Sequence, residues 1–204
     1  FSGCPGDSPD SHYPNWVTCP WPDDFSKIVE YQWNEVLVPY WKKMTAFAAE
    51  HGIKKIAFEM HPGFCVYNPE TLMKLRNLVG SDLIGANFDP SHLFWQGIDP
   101  VAAIRRLGDA IYFVHAKDTR LDPLNGPVNG MLDTKPIDAF ARRAWNYVAV
   151  GAGHDAKWWK EFFSVVRMSG YDEEVSLEME DLTLSMLDGH LASLHVLREA
   201  LNIE

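Results

Sequence analysis

Four apolar runs in this chain each end in a short segment that carries carboxylate or histidine side chains. The segments are Phe58-Glu59-Met60-His61, Phe88-Asp89-Pro90-Ser91-His92, Val114-His115-Ala116-Lys117-Asp118 and Leu177-Glu178-Met179-Glu180-Asp181. Helical patterns separate the runs, and strands that alternate with helices predict βαβ units with a parallel sheet. Because ligands and active sites lie at the carboxyl ends of parallel strands, the four polar segments are expected to meet there.

The predicted strands lack a clean alternation of apolar and polar residues, as expected for strands buried on both faces. They cover Ile53–Phe58, Leu83–Phe88, Ala110–Val114 and Val175–Leu177. Three helices begin at a capping Asn or Asp, and in two of them a proline follows at the first helical position. These helices start after Asn68, Asp99 and Asp155, and they extend to about Val79, Leu107 and Gly170. A last helix is predicted over roughly Ser185 to Leu201.

A longer helical stretch, about Phe25 to Glu50, precedes the first strand and ends at Gly52. Pro39 lies inside this stretch and is expected to break or kink it, because proline lacks the backbone N–H and its ring clashes with the preceding turn. The first two dozen residues are rich in Pro, Asp and Ser and are predicted to form a loop. Four βα units fit a complete open sheet of four or five strands. They also fit part of a (β/α)₈ barrel, which needs eight units in about 250 residues.

Composition narrows the class of protein. The 204 residues include 18 Lys and Arg against 28 Asp and Glu, a net charge of −10, which disfavours a nucleic-acid partner. Three cysteines, Cys4, Cys19 and Cys65, do not indicate a disulfide framework, so a cytoplasmic location is the simple interpretation. The sequence contains no apolar run near the ~18 residues of a membrane span, and no membrane association is expected. The chain begins without Met, and we expect an earlier N-terminal part to be absent from it.

The polar residues that lead the four segments are Glu59, Asp89, His115 and Glu178. Three carboxylates and one imidazole suit a hard or borderline divalent cation, and the absence of thiolates argues against a structural zinc site. The pattern therefore predicts that these residues bind one metal ion. Mn²⁺ is the favoured ion, and Mg²⁺, Co²⁺ and Zn²⁺ are the alternatives.

Four further residues beside these ligands are candidates for substrate binding. His61 follows Glu59 by two positions, and His92 follows Asp89 by three, so each could contact a substrate or orient a ligand. Lys117 and Arg120 come shortly after His115, and a cation beside a metal site can bind a hydroxyl, carboxylate or phosphate. A hydrogen-bonded loop histidine and a solvated loop charge are the alternative interpretations.

The segment from Ala116 to Gly153 is 38 residues long and is predicted to be a functional loop. It contains Trp145 and Tyr147, which could cover a sugar ring or pack in the core. Gly151-Ala152-Gly153-His154 has the composition of a flexible segment that could bring the end of this loop back to the site. The helix after Asp155 has paired aromatic residues that are predicted to lie in the core, namely Trp158, Trp159, Phe162 and Phe163.

At the four polar segments the sequence resembles the xylose isomerase-like TIM-barrel superfamily, within the sugar phosphate isomerase/epimerase group. The similarity extends from about Ile53 to Asp181 and includes the Glu…Asp-x-x-His…His…Glu order of the group. It implies an α/β fold of the TIM (β/α)₈ barrel type, with residues 1–204 as a single domain. That domain would run from about the end of strand 4 through helix 8, with the N-terminal strands missing from this chain.

The resemblance implies metal ligation by Glu59, Asp89, His115 and Glu178. In ketose 3-epimerases of the superfamily the two glutamate ligands also act as the acid/base pair, and this role would belong to Glu59 and Glu178. His92 matches a substrate-contacting histidine of those enzymes, whereas Arg120 lies near a substrate-binding arginine without aligning cleanly.

A carboxylate can remove the proton next to a carbonyl that a divalent ion polarises, which gives an enediolate. Return of the proton yields epimerisation or isomerisation, and loss of a β-leaving group yields elimination. The favoured function is thus a metal-dependent sugar, sugar phosphate or polyol isomerase or epimerase. A lyase or dehydratase acting on inosose or 3-keto-glycoside substrates is the alternative. An apurinic endonuclease-like phosphodiesterase and a non-catalytic barrel are more remote, and a homo-oligomer remains open.

Overall fold

The computed structural model describes residues 1–201 and contains the predicted parallel strands. The strands are β1 (Ile56–Glu59), β2 (Ile84–Phe88), β3 (Ile111–Ala116), β4 (Asp118–Leu121), β5 (Trp145–Val148) and β6 (Val175–Leu177). Four of them follow one another in the sheet order β1-β2-β3-β6, and the pairs β1–β2 and β3–β6 are parallel. The pair β4–β5 is a separate antiparallel ladder.

Helices connect the strands as the sequence predicts. They are α1 (Asp24–Tyr31), α2 (Val38–Glu50), α3 (Pro69–Val79), α4 (Ser91–Phe94), α5 (Pro100–Leu107), α6 (Asn125–Asn129), α7 (Ala156–Met168) and α8 (Met186–Leu201). The predicted caps are confirmed, because the side chains of Asn68, Asp99 and Asp155 each accept a hydrogen bond from a backbone N–H of the first turn. Within residues 1–201, no helix is both long and apolar enough to cross a membrane.

The chain divides into two compact units. The first unit contains Phe1–Phe88 together with Ala110–Tyr112, and the second contains Asp89–Asp109 and the chain from Phe113 onward. The extent of the predicted domain, residues 1–204 as one domain, stays a prediction.

The first unit has an apolar core between its strands and helices. Phe58 of β1 is buried and meets the ring of Trp41 edge to face, with centroids 4.5 Å apart. Helix α3 buries Leu72, Leu75 and Val79, which lie on one helical face. Gly85 of β2 is required by packing, since the Tyr112 ring occupies the space that a Cβ atom would need.

The helical stretch around Pro39 differs from the prediction. The backbone stays helical from Asp24 to Glu50, but residues Gln32–Leu37 form a π-helical turn between α1 and α2. The wider turn lies just before Pro39, where an α-helical hydrogen bond to the proline nitrogen cannot form. The helix is therefore not broken at Pro39 but changes type just before it, and the kink stays a prediction.

The second unit is packed around α7, which contacts both α5 and α8. Trp159, Phe162 and Phe163 of α7 are buried, as predicted, whereas Trp158 is half-buried. Burial of three large side chains on one face stabilises the unit by roughly 1.5–3 kcal/mol for each.

The prediction of an irregular loop from Ala116 to Gly153 is wrong. This segment contains β4, α6, a 3₁₀ turn and β5, and β4 pairs with β5 from Asp118 opposite Val148 to Leu121 opposite Trp145. Residues 151–154 lie against Asp118, which accepts hydrogen bonds from three of their backbone N–H groups, and the predicted flexibility of this return stays a prediction. The Trp-Asn-Tyr-Val sequence of β5 favours a strand, as aromatic and β-branched residues do in general.

Candidate metal centre

The four predicted ligands lie at strand ends in the structure. Glu59 is the last residue of β1, Asp89 directly follows β2, His115 is the penultimate residue of β3, and Glu178 directly follows β6. Glu59 belongs to the first unit, and within the second unit His115 Nδ1 lies 3.0 Å from Glu178 Oε2 and 3.9 Å from Asp89 Oδ2. Donor atoms on opposite sides of one ion are ~4.0–4.6 Å apart when each is ~2.0–2.3 Å from it. The donor set and the spacing of the three residues in the second unit therefore fit one divalent cation.

Asp89 is the most buried of these residues and is held by contacts at both carboxylate oxygens. Oδ1 accepts a hydrogen bond of 2.8 Å from the Ser91 backbone N–H, and Oδ2 lies 3.3 Å from His92 Nε2 and 3.9 Å from His115 Nδ1. Burial opposes ionisation, but the hydrogen bond with His115 and the charge of Lys117 outweigh it and lower the pKa of Asp89. Asp89 is thus kept ionised, as a metal ligand must be.

His115 and Glu178 contact each other directly, since His115 Nδ1 lies 3.0 Å from Glu178 Oε2. Burial favours the neutral imidazole, but Asp89 and Glu178 outweigh it and raise the pKa of His115 to about 9. The hydrogen bond with His115 is the largest cause that lowers the pKa of Glu178 to about 2, and Lys117 adds to it against the opposing effect of burial. The pair is therefore electrostatically coupled.

Lys117 is a buried cation between two glutamates. Its Nζ atom lies 2.9 Å from Glu178 Oε1 and 2.8 Å from Glu180 Oε2. Burial alone would lower the pKa of Lys117, but Asp89, Glu178 and Glu180 raise it, so the ammonium stays charged. Lys117 thus contacts Oε1 of Glu178, and His115 contacts Oε2.

His92 lies beside the ligands rather than at the surface. It is 1% exposed, its Nε2 faces Asp89, and its Nδ1 lies 2.9 Å from the Tyr147 hydroxyl. The ring of Tyr147 also lies under Lys117, with Nζ 4.3 Å from the centroid. The structure thus gives Tyr147 contacts with two residues of the centre.

The other two predicted substrate-binding residues lie in different surroundings. His61 belongs to the first unit, where its Nδ1 is 2.5 Å from the Pro62 carbonyl oxygen and its ring meets Phe1 and Phe64 edge to face. Arg120 is exposed on β4 and lines a cavity of about 120 Å³ with Tyr147 and Glu180. The predicted roles of both residues in substrate binding stay predictions.

Sequence reasoning missed two candidates near the centre, Asp118 and Glu180. Glu180 follows Glu178 at the two-residue spacing that places side chains on one side of an extended chain, so this signal was present in the sequence. Tyr147 was noted only as an aromatic side chain that could cover a ring or pack in the core.

Asp118 anchors the segment that follows β5. Its Oδ2 accepts hydrogen bonds from the backbone N–H groups of Gly151, Gly153 and His154, and its Oδ1 lies 2.7 Å from His154 Nδ1. A Cβ atom at Gly153 would overlap Thr119 and Asp118, so the close approach needs glycine. The buried carboxylate fixes this segment to the strand that follows His115.

A family model described as "Xylose isomerase-like TIM barrel" matches residues 12–200. The chain belongs to this family. Its fold is accordingly the α/β xylose isomerase-like TIM barrel, present in part, and the resemblance inferred from the four polar segments is confirmed.

The chain covers different shares of the known proteins to which it is similar. The chain is 52% identical over 204 residues to the uncharacterized protein YfiH of Bacillus subtilis (strain 168). This match covers 99% of the chain and 65% of YfiH. It is 31% identical over 98 residues to an inosose dehydratase of Geobacillus kaustophilus (strain HTA426), covering 48% of the chain and 31% of that protein. The chain therefore spans less than two thirds of either relative.

A solved structure supports the fold assignment. The structure of a xylose isomerase domain protein from Planctomyces limnophilus matches with a TM-score of 0.55 and 22% identity, over 91% of this chain and 56% of the other. The match indicates the same fold in a longer protein.

Proposed function

We propose that the chain is the metal-binding part of a divalent-metal-dependent isomerase or epimerase that acts on a sugar, sugar phosphate or polyol. The observation that carries the proposal is the cluster of Asp89, His115 and Glu178 at strand ends of the second unit, where His115 Nδ1 lies 3.0 Å from Glu178 Oε2 and 3.9 Å from Asp89 Oδ2. Glu59, Asp89, His115 and Glu178 would hold the ion, for which Mn²⁺ is the favoured choice and Mg²⁺, Co²⁺ and Zn²⁺ are alternatives. Such an ion, when bound, polarises a substrate carbonyl and makes the adjacent proton more acidic.

Glu59 and Glu178 are the proposed acid/base pair. The pKa of about 2 keeps Glu178 ionised at neutral pH, so it is in the form that accepts a proton. Its side chain is 34% exposed and can therefore be reached by a substrate, whereas the Asp89 side chain is fully buried. Lys117 holds Glu178 Oε1 and so orients the carboxylate for proton transfer. Glu59 would donate a second proton to the substrate, and each glutamate would then exchange its proton with solvent.

Substrate contacts are proposed for His92, His61, Lys117 and Arg120. Arg120 is exposed beside the cavity that Glu180 lines, so a polar substrate group can reach it. His92 is buried between Asp89 and Tyr147, and a substrate contact would have to replace one of these neighbours.

The test is solvent exchange catalysed by the purified chain. With Mn²⁺ bound and D₂O as solvent, we expect deuterium to enter the carbon next to the carbonyl of at least one keto-sugar in a broad panel. Glu178→Gln keeps the shape of the side chain but removes the base, and it should abolish the exchange. Wild-type protein that binds Mn²⁺ but exchanges no proton across the panel would contradict the proposal.

A dehydratase is the second candidate, because relatives that match about half of the chain are named inosose dehydratases. The same carboxylate would remove the proton, and a β-hydroxyl group would then leave as water. Mass spectrometry of the product distinguishes the two functions. A loss of 18 mass units from an inosose, dependent on Mn²⁺ and on Glu178, would favour dehydration over isomerisation.

A further inference from the structure

Tyr147 connects the β4–β5 pair to Asp89 through one histidine. Its hydroxyl lies 2.9 Å from His92 Nδ1, and His92 Nε2 lies 3.3 Å from Asp89 Oδ2. The rings of Tyr147 and His92 meet edge to face, with centroids 5.7 Å apart. All three residues belong to the second unit.

The chemistry of the three side chains sets the direction of the hydrogen bond between Tyr147 and His92. A neutral histidine donates from one ring nitrogen and accepts at the other. The ionised carboxylate of Asp89 can only accept, so the hydrogen of His92 belongs on Nε2. Nδ1 is then the acceptor, and the hydroxyl of Tyr147 donates to it. The hydroxyl hydrogen of Tyr147 therefore points to His92, and the Nε2 hydrogen of His92 points to Asp89.

We infer that Tyr147 is a positioning residue of the metal centre, which fixes the tautomer and the orientation of His92 and thereby the Asp89 carboxylate. The inference rests on the metal site of the proposed function and adds a residue to which no role was given there. The Ser91 backbone N–H holds the other oxygen of Asp89 at 2.8 Å, so the two contacts together fix the plane of the carboxylate. Loss of such an outer partner typically lowers metal affinity ~10–100-fold.

The ring of Tyr147 has a second contact, which the experiment must separate from the first. Its face lies 4.3 Å from Lys117 Nζ, and Lys117 in turn holds Glu178. Tyr147→Phe removes the hydroxyl and keeps the ring under the ammonium. The variant therefore tests the contact with His92 alone.

The test is calorimetric titration of the purified chain with Mn²⁺ at neutral pH. We expect Tyr147→Phe to raise the Kd about tenfold and to leave the thermal unfolding of the metal-free protein near that of wild type. Tyr112→Phe is the matched control, because its hydroxyl contacts Asp82 and Arg76 rather than a residue of the centre. This control should leave the Kd for Mn²⁺ unchanged.

A double-mutant cycle shows whether Tyr147 acts through His92. In a His92→Leu background, which lacks the acceptor, adding Tyr147→Phe should change the Kd less than twofold. An equal tenfold loss in both backgrounds, or an unchanged Kd in the single variant, would overturn the inference while the metal site stands. Wild-type protein that binds no Mn²⁺ would overturn both the inference and the proposed function.

Discussion

The ammonium group of Lys117 lies 2.9 Å from Oε1 of Glu178, the residue that directly follows β6. The same Nζ atom is 2.8 Å from Glu180 Oε2, so one buried cation joins two carboxylates that are separated by one residue. This arrangement holds Glu178 ionised and oriented, with Oε2 near His115.

Replacing Lys117 by methionine should destabilise the protein. Methionine keeps the approximate length of the side chain but leaves the two glutamates without their cation, and hydrogen bonds to charged groups contribute ~1.5–3 kcal/mol. We expect the free energy of unfolding in urea at pH 7 to fall by roughly 2 kcal/mol. Lys27→Met is the control, since the ion pair of Lys27 with Asp24 is exposed and should matter little. Equal effects of the two changes would contradict this role of Lys117.

Replacing Asp89 by asparagine should reduce the affinity for Mn²⁺ more than replacing a residue that does not itself contact the ion, such as Tyr147. The variant removes a charged ligand, so we expect a loss beyond the ~10–100-fold that outer partners contribute. Calorimetric titration measures the Kd directly. Asp188→Asn, an exposed change in the first turn of α8, should bind Mn²⁺ as wild type does. An unchanged Kd in Asp89→Asn would exclude this residue as a ligand.

Replacing Asp118 by asparagine should release the segment from Gly151 to His154. Oδ2 accepts hydrogen bonds from three backbone N–H groups there, and in asparagine this oxygen loses its charge. The NH₂ group of asparagine would also replace Oδ1, which accepts a hydrogen bond from the Thr119 backbone N–H. We expect a loss of roughly 2–3 kcal/mol in the free energy of unfolding. Hydrogen exchange at residues 151–154 should become faster, while exchange in α7 away from its N-terminus changes less. Unchanged protection at residues 151–154 would contradict the anchoring role.

Stability in acid should depend on Asp133. Burial opposes its ionisation, but hydrogen bonds from Lys135 and from the backbone N–H of Ala144 lower its pKa to about 2 from the usual 3.8. A lowered pKa stabilises the fold at pH values above 3.8, and this contribution is lost as the pH falls towards 2. Asp133→Asn should therefore be less stable than wild type at pH 7, and the difference should narrow at pH 2. A difference that is independent of pH would contradict the assignment.

The sequence was sufficient to predict the longer helices and the strand-end positions of the four proposed ligands because the signals are local. Asn68, Asp99 and Asp155 mark helix starts by their own side chains, and the structure confirms each of them. The ligands could be predicted because each lies directly at the end of an apolar run. The carboxyl ends of the strands were placed within two residues and the start of β1 within three, since burial on both faces removes the alternation that would define them.

The remaining features depend on contacts between residues that are far apart in the chain. Tyr147 lies 55 positions from His92, and Lys117 lies 61 positions from Glu178, so neither contact has a local signature. The β4–β5 pair was missed because Asp118-Thr-Arg-Leu carries charges, and the segment up to Trp145 is rich in Pro, Gly and Asn. The π-helical turn before Pro39 was missed because proline alone predicts a break or kink but not the helix type that replaces it.

The most direct measurement for the central claim is a crystal structure of the chain with Mn²⁺, with anomalous diffraction data to locate the ion. We expect a single strong anomalous peak with atoms of Glu59, Asp89, His115 and Glu178 each ~2.0–2.3 Å away. A peak bound by other residues, or no peak at Mn²⁺ concentrations that saturate related metal sites, would contradict the claim that these four strand-end residues form one metal centre.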